Sequence, residues 1–341
     1  VSALPQAPVS LPDFAALAAC WHPVAYASAL TDTPLHTRLL GRDLVLWRDG
    51  AGTPRVLADL CIHRGTALSL GRVVDGQIMC PYHGWRYDGE GRCTLIPQLA
   101  DPTRVPAKAR VEAYQVVERH RLLWVALAEP RFPLPEVPEL VDEGWTTVET
   151  GPFTWTADAS RQLENFTDLG HFPWLHPGLL GDPERPVVPG HTVHVEGAVL
   201  RYDVVRPEAP NSRDFPVFGN EVVAAPERRS RYALHLPYTI ALRLGWGGRA
   251  GMVYLFASQP VDHDRCTGYV VIARNYDHDQ PDQVLRDFED TIFEQDRVVV
   301  ESQRPERVPF DLADELHLTF DAVAVAYRRA MRAQGLAHTS G

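Results

Sequence analysis

The chain has 341 residues, with 33 basic and 44 acidic side chains, a formal charge of −11 and no block of like sign. Nucleic acid is therefore not an expected partner, because phosphate neutralisation needs clustered Lys and Arg. No stretch of eighteen apolar residues and no basic-then-apolar leader occurs, so neither a membrane span nor secretion is expected, and a cytoplasmic location is.

The length suggests two domains or one large one, with ample core. Five cysteines, Cys20, Cys61, Cys80, Cys93 and Cys266, are too sparse and odd in number for a disulfide framework. From about 40 to 127 the sequence reads as short strands between turn signals. Leu44 to Trp47 ends at Asp49-Gly50, and Arg86 to Thr94 encloses the turn Asp88 to Gly91. Val111 to Val117 and Leu122 to Ala126 bracket a charged turn at Glu118 to Arg121. This pattern predicts a small β-sandwich or barrel. The Pro-rich stretch Pro130 to Pro138 reads as a stiff linker. We therefore expect an N-terminal all-β domain over 18–128, a linker over 129–139 and a second domain over 140–341.

In that second domain, strands are expected at Thr192 to Val204, Ser230 to Leu244, Gly251 to Gln259 and Thr267 to Arg274. Helices are expected at Asp158 to Gly170, with Asp158 as N-cap, at Pro281 to Gln303 and at Phe320 to Gln334. Strands grouped centrally with helices at either end predict an α+β domain around an antiparallel sheet.

Two short ligand pairs, Cys61-Ile62-His63 and Cys80-Pro81-Tyr82-His83, are separated by sixteen residues. Each lies between predicted strands, hence at a loop tip. Two thiolates and two imidazoles suit zinc, or a [2Fe–2S] cluster with Cys on one iron and His on the other. Neutral imidazoles in place of thiolates reduce the negative charge and ease reduction.

A second dense segment runs from Glu164 to His176. Asp168 and His171, three apart, are expected on one helical face. His176 follows five later, so Gly170 and Pro173 must bend or interrupt the helix if both imidazoles meet one ion. Two His and one carboxylate on a face of Fe(II) leave positions open for dioxygen. The third ligand is sought on the late helix, where Leu285, Phe288, Ile292, Val299 and Gln303 form a stripe that includes Asp296. A carboxylate on an apolar face is costly unless paired or metal-bound, which makes Asp296 the candidate. Glu289, Glu294 and Glu301 are expected to be solvated.

The flanking residues, Cys61-Ile62-His63-Arg64-Gly65 and Cys80-Pro81-Tyr82-His83-Gly84-Trp85, resemble the Rieske family. Respiratory Rieske proteins carry two further cysteines, and Thr66 and Tyr82 stand at the matching positions, so the resemblance is to the oxygenase branch. The order of Rieske motif, Pro-rich linker, N-x-x-D-x-x-H-x-x-x-x-H segment and late acidic helix is similar to Rieske oxygenase α subunits across nearly the whole chain. Glu294 to Glu301 looks like the vanillate O-demethylase and dicamba monooxygenase group.

The resemblance implies a helix-grip catalytic domain, one Rieske [2Fe–2S] cluster on Cys61, His63, Cys80 and His83, and one Fe(II) on His171, His176 and Asp296. It also implies O2 as co-substrate and a head-to-tail homotrimer. Asp168 would then link His171 of one subunit to His83 of the next, and Asn165 would lie near the iron. A separate NAD(P)H-dependent flavoprotein reductase, with or without a ferredoxin, would supply electrons. The expected reaction is monooxygenation of an aromatic or larger ring compound, with demethylation where an O- or N-methyl group is attacked. The alternatives are a cis-dihydroxylating dioxygenase, a pure electron carrier and a zinc protein.

Three other motifs have plainer readings. Gly245 to Ala250 loosely matches a dinucleotide fingerprint but lies between strands, as a hairpin turn would. Asn165-Phe166-Thr167 matches a glycosylation sequon that a cytoplasmic protein does not use. His191 and His194, three apart on a predicted strand, would face opposite ways.

Overall fold

The computed structural model describes residues 14–209 and 227–337. The chain divides into two compact units, Val1–Pro133 and Leu134–Gly341; the division falls inside the Pro-rich stretch.

Among the described residues, the first unit is all-β, in three small antiparallel sheets. One has the order β1 (His22–Tyr26), β10 (Leu122–Ala126), β9 (Gln115–Arg119); the second runs β2 (Leu35–Leu39), β3 (Arg42–Arg48), β4 (Pro54–Ala58). The third runs β5 (Arg72–Val74), β6 (Gln77–Met79), β7 (Arg86–Tyr87), β8 (Cys93–Leu95). The turn Asp88 to Gly91 sits between β7 and β8, where Asp88 Oδ1 accepts the backbone N–H groups of Glu90 and Arg92. Trp47, Leu57, Leu68, Ile78 and Tyr87 form a core in which Cys61 and Cys80 are also buried.

His22 is buried at the start of β1, with Nε2 2.9 Å from the Leu17 carbonyl, and burial lowers its pKa to about 4. The fold thus holds this imidazole neutral, whereas an unfolded chain protonates it below about 6.5. Its contribution to stability should be complete above that value and fall away as the pH drops towards 4. By linkage the loss approaches roughly 3 kcal/mol. Urea unfolding at pH 7 and pH 4.5 should show a smaller pH dependence for His22→Gln than for the parent protein. Equal pH dependence would exclude this role for His22.

The second unit is built on a seven-stranded antiparallel sheet. Its order is β11 (Thr146–Trp155), β17 (Cys266–Arg274), β16 (Gly251–Pro260), β15 (Thr239–Gly245), β14 (Glu227–His235), β13 (Val199–Pro207), β12 (His194–Glu196). Helix α1 (Ala159–Thr167) lies on β16 and β17, and the long helix α3 (Asp282–Val300) lies against β11 and α1. A short α2 (Phe172–Leu175) follows α1, and α4 (Ala322–Ala333) ends the described chain. The α+β architecture expected from the sequence is present.

Its details differ in instructive places. The run Ser230 to Leu244 is two strands, turned at Leu236 to Tyr238 around Pro237, which cannot donate to a ladder. Thr192 to Val204 likewise divides at Gly197, whose φ of +60° suits a tight turn. His191 therefore precedes the strand, with Nδ1 3.0 Å from the Pro189 carbonyl. Strand β11 is not among the expected strands, and it carries Gly151-Pro152 in its middle. The sheet absorbs that pair as an irregularity between Thr150 and Phe153. Gly245 to Ala250 is a hairpin turn between β15 and β16.

Candidate metal centres

The two Cys–His pairs sit at the tips of loops with matching backbone frames. Cys61 N–H donates to the Thr66 carbonyl and Gly65 N–H to the Cys61 carbonyl; Cys80 N–H donates to Trp85 and Gly84 N–H to Cys80. In each loop the glycine four residues after the cysteine has φ of +69°, a conformation that costs other residues energy. The repeated C-x-x-x-G spacing is thus a folding requirement of the ligand loops themselves.

The two imidazoles lie side by side, and so do the two thiols. The His63 and His83 ring centroids are 4.5 Å apart, and His63 stacks on Trp85 at 4.5 Å. Cys61 and Cys80 are buried, unbridged thiols. Burial raises the Cys80 pKa, the neighbouring Cys61 adds to it, and backbone N–H groups of Tyr82 and His83 act against it by hydrogen bonding. Buried His63 Nδ1 has no hydrogen-bond partner among the described residues, which leaves an expensive orphan unless a metal takes it. Two thiolates, two imidazoles and waiting N–H donors fit an iron–sulfur cluster.

Tyr87 was not singled out from the sequence, yet its hydroxyl lies 3.1 Å from Cys61 Sγ. Donation to the sulfur favours the more negative, reduced state of a cluster held there. Tyr87→Phe should lower the reduction potential by about 40 mV, the equivalent of one net hydrogen bond, with the visible spectrum retained. Protein-film voltammetry checks this, and an unchanged potential would remove Tyr87 from the account.

In the second unit, α1 is capped by Asp158, whose carboxylate accepts the Ser160 N–H. It ends at Thr167, three residues earlier than expected, and Asp168 is already extended. The closeness of Asp168 and His171 is therefore the work of a turn rather than of a helical face. Asp168 Oδ1 accepts the Gly170 N–H at 2.7 Å, and Oδ2 lies 3.2 Å from His171 Nδ1. Burial acts to raise the Asp168 pKa, but the His171 contact and backbone N–H donors overcome it and hold the carboxyl below its ordinary range. The short α2, with Pro173 near its start, then places His171 at one end and His176 at the other.

The third member arrives from α3. Its buried face comprises Leu285, Phe288, Glu289, Ile292, Phe293, Asp296 and Val300. Asp296 is on that face, as expected. The stripe is displaced from the expected one, however, since Val299 is exposed and Gln303 lies beyond the helix. Glu289 is buried, contrary to expectation. It accepts the Tyr254 hydroxyl at 3.0 Å, and burial, with Asp296 adding, pushes its pKa up to about 8. Glu294 and Glu301 pair with Arg297 instead.

His176 Nε2 is 3.0 Å and His171 Nε2 3.5 Å from Asp296 Oδ1, and one ligand atom from each residue lies within 4.8 Å of the others. His176 is fully buried, with Nδ1 2.7 Å from Gln295 Oε1. An amide oxygen only accepts, so Nδ1 carries the proton and Nε2 keeps its lone pair for the triad. The Asp168 carboxylate imposes the same tautomer on His171. Gln295 was missed from the sequence, because its polar amide beside Asp296 looks like any solvated helix residue.

The triad opens on a cleft lined by Asn165, Phe166, Phe288 and Phe293 with sheet residues Tyr232, Leu242 and Tyr254. The aromatic and aliphatic lining suits a small ring molecule. Two histidines and a carboxylate at its wall, with tautomers set from behind, fit a mononuclear iron with positions left open.

Comparison with known proteins matches both units of the chain to described domain families. Residues 20–115 match the Rieske [2Fe-2S] domain, and residues 155–336 match the vanillate O-demethylase oxygenase C-terminal domain. The chain is 33% identical over 335 residues to methylxanthine N1-demethylase NdmA of Pseudomonas putida, covering 94% of this chain and 90% of that protein. It is 30% identical to methylxanthine N3-demethylase NdmB of the same species, with the same coverage. The solved structure of Pseudomonas putida CBB5 NdmA with caffeine superposes with a TM-score of 0.84 at 31% identity, covering 94% and 91% of the two chains.

Proposed function

Because this chain belongs to the Rieske oxygenases with a vanillate O-demethylase-type catalytic domain, we propose that it hydroxylates a ring substrate at a carbon held beside the triad, releasing a methyl group as formaldehyde when that carbon is an O- or N-methyl. The enzyme is a monooxygenase component carrying a Rieske [2Fe–2S] cluster and a mononuclear iron, with O2 as co-substrate. When bound, the cluster supplies single electrons and the iron supplies dioxygen activation.

The observation that carries this reading is the convergence of His171, His176 and Asp296, drawn from segments about 120 residues apart, on the wall of an apolar cleft. These three residues would hold the iron, with Gln295 and Asp168 fixing the two imidazoles and Asn165 close to the open side. Cys61 and Cys80 would hold one iron of the cluster, and His63 and His83 the other. Phe166, Phe288 and Phe293 would seat the ring and exclude water.

A head-to-tail homotrimer follows from the same reading. Leu60, Ile62 and Tyr82 are exposed at 58%, 51% and 64% around the cluster tips, and such apolar side chains favour docking to another surface. Asp168, half exposed, shares a surface hollow with exposed Leu316 and Phe320, which offers a matching place on a neighbouring copy. Electrons would come from a separate NAD(P)H-dependent flavoprotein reductase, directly or through a ferredoxin, in the cytoplasm. No helix among the described residues is long and apolar enough to cross a membrane.

Turnover with ¹⁸O₂, NADH and a reductase tests the proposal. A product that keeps its new hydroxyl is expected to carry one labelled oxygen; where a methyl group is lost, the label leaves with the formaldehyde, which appears in step with oxygen consumed. A diol carrying both labelled atoms, or a preparation holding cluster iron alone, would overturn it.

A further inference from the structure

The cleft carries two cations for which the proposed chemistry has no use. Arg206 on β13 and Arg228 on β14 are register partners, so their side chains leave the same face of the sheet. Both line the cleft that ends at the triad. Arg228 is only 2% exposed. Like charges directly opposite one another on adjacent strands are destabilising, and burial adds to the cost.

Arg228 has charged and polar partners, whereas the contacts of Arg206 compensate its charge only in part. Glu208 Oε1 lies 3.5 Å from Arg228 Nε, and it also accepts the Trp246 indole N–H at 2.6 Å. Arg206 donates to the Leu180 carbonyl at 3.2 Å and lies 4.5 Å over the Phe172 ring. Neither of those partners carries a charge. Its Nε is buried without a hydrogen-bond partner, and no carboxylate pairs with Arg206 among the described residues. Burial first, and the Arg228 charge second, weaken the hold of the Arg206 guanidinium on its proton. Glu289, the other carboxyl in this part of the cleft, is tied to Tyr254 and raised towards its neutral form.

We propose that Arg206 and Arg228 form an oxyanion subsite, so that the ring substrate bears a carboxylate or sulfonate held there while the carbon to be oxidised faces the triad. The assignment rests on the oxygenase reading above and names its substrate class. Guanidinium forks match the paired oxygens of such groups, and a bound anion removes the repulsion between the two arginines. The ring itself is left to the aromatic side chains.

Equilibrium titration of the holoenzyme with 4-methoxybenzoate, 4-methoxybenzenesulfonate and 4-methoxybenzamide tests this without turnover. At least one anion should bind about tenfold or more tightly than the neutral amide, and the two anions compared tell carboxylate from sulfonate recognition. Arg206→Gln should abolish that preference, read as the ratio of anion to amide affinity in the variant. Equal affinities, no binding of either anion at millimolar concentration, or a preference that survives Arg206→Gln would each overturn the proposal. The wild-type comparison decides even if the variant fails to fold. Missing mononuclear iron or absent oxygen uptake would sink the oxygenase reading but leave the anion preference measurable. Normal iron and uptake without that preference would sink the subsite alone.

Discussion

Replacing Asp296 by alanine is expected to strip the mononuclear iron while sparing the cluster. Asp296 Oδ1 is the atom that both imidazoles approach, at 3.0 and 3.5 Å, so its loss takes away the charged member of the triad. Two neutral imidazoles bind a divalent ion far more weakly than two imidazoles with a carboxylate. Even a residue one step removed from a metal changes affinity by about 10–100-fold, and a direct ligand should exceed that. Substrate oxidation should fall by roughly a thousandfold or more, to the level of residual iron. The visible spectrum of the cluster should persist, because Cys61, His63, Cys80 and His83 all belong to the other compact unit. Iron analysis beside cluster absorbance is the measurement, and full iron content in Asp296→Ala would clear Asp296 of the role. The variant should still fold, since alanine leaves no unpaired carboxylate on the buried face of α3.

Asp168→Asn is expected to leave both metals in place and yet slow turnover by about a hundredfold. Asparagine retains an oxygen for the Gly170 N–H, so the turn that follows α1 should survive. What disappears is the negative charge beside His171 and towards any neighbouring copy. With half of its side chain exposed, Asp168 could take a second imidazole, which in the proposed trimer would be that of His83 from the next subunit. Single-turnover oxidation of a pre-reduced cluster separates two roles for it. Slow oxidation with full iron content supports a bridge between subunits. Loss of iron would mean that Asp168 merely orients His171, and near-normal turnover would dismiss both roles.

Both substitutions touch residues chosen from the sequence, but the reasons for choosing them fared differently. Asp296 was selected because a carboxylate on an apolar helix face needs a partner, and that argument survives although the stripe around it shifts by a residue near its end. Periodicity alone could not tell Val299 from Val300, because both are apolar and only the neighbouring strand and helix decide which is covered. The same argument should have drawn notice to Glu289, which shares the buried face. It failed there because its partner, the Tyr254 hydroxyl, comes from a distant strand. Asp168 and His171 were expected together on a helical face, and they meet through a turn instead. An i, i+3 spacing brings side chains together in either conformation.

By itself, the sequence determined the donor chemistry and its local frames. These include the paired Cys–His loops with their obligatory glycines, the histidines at both ends of a proline-started turn of helix, and a carboxylate on an apolar face. Such features are local, because spacing and backbone preference act over a few residues. Tertiary structure alone decided which distant groups meet: Gln295 behind His176, Tyr87 on Cys61, and Arg206 opposite Arg228 across two strands. Strand register sets those meetings, and register is fixed by the whole sheet and its packing rather than by any short run of residues.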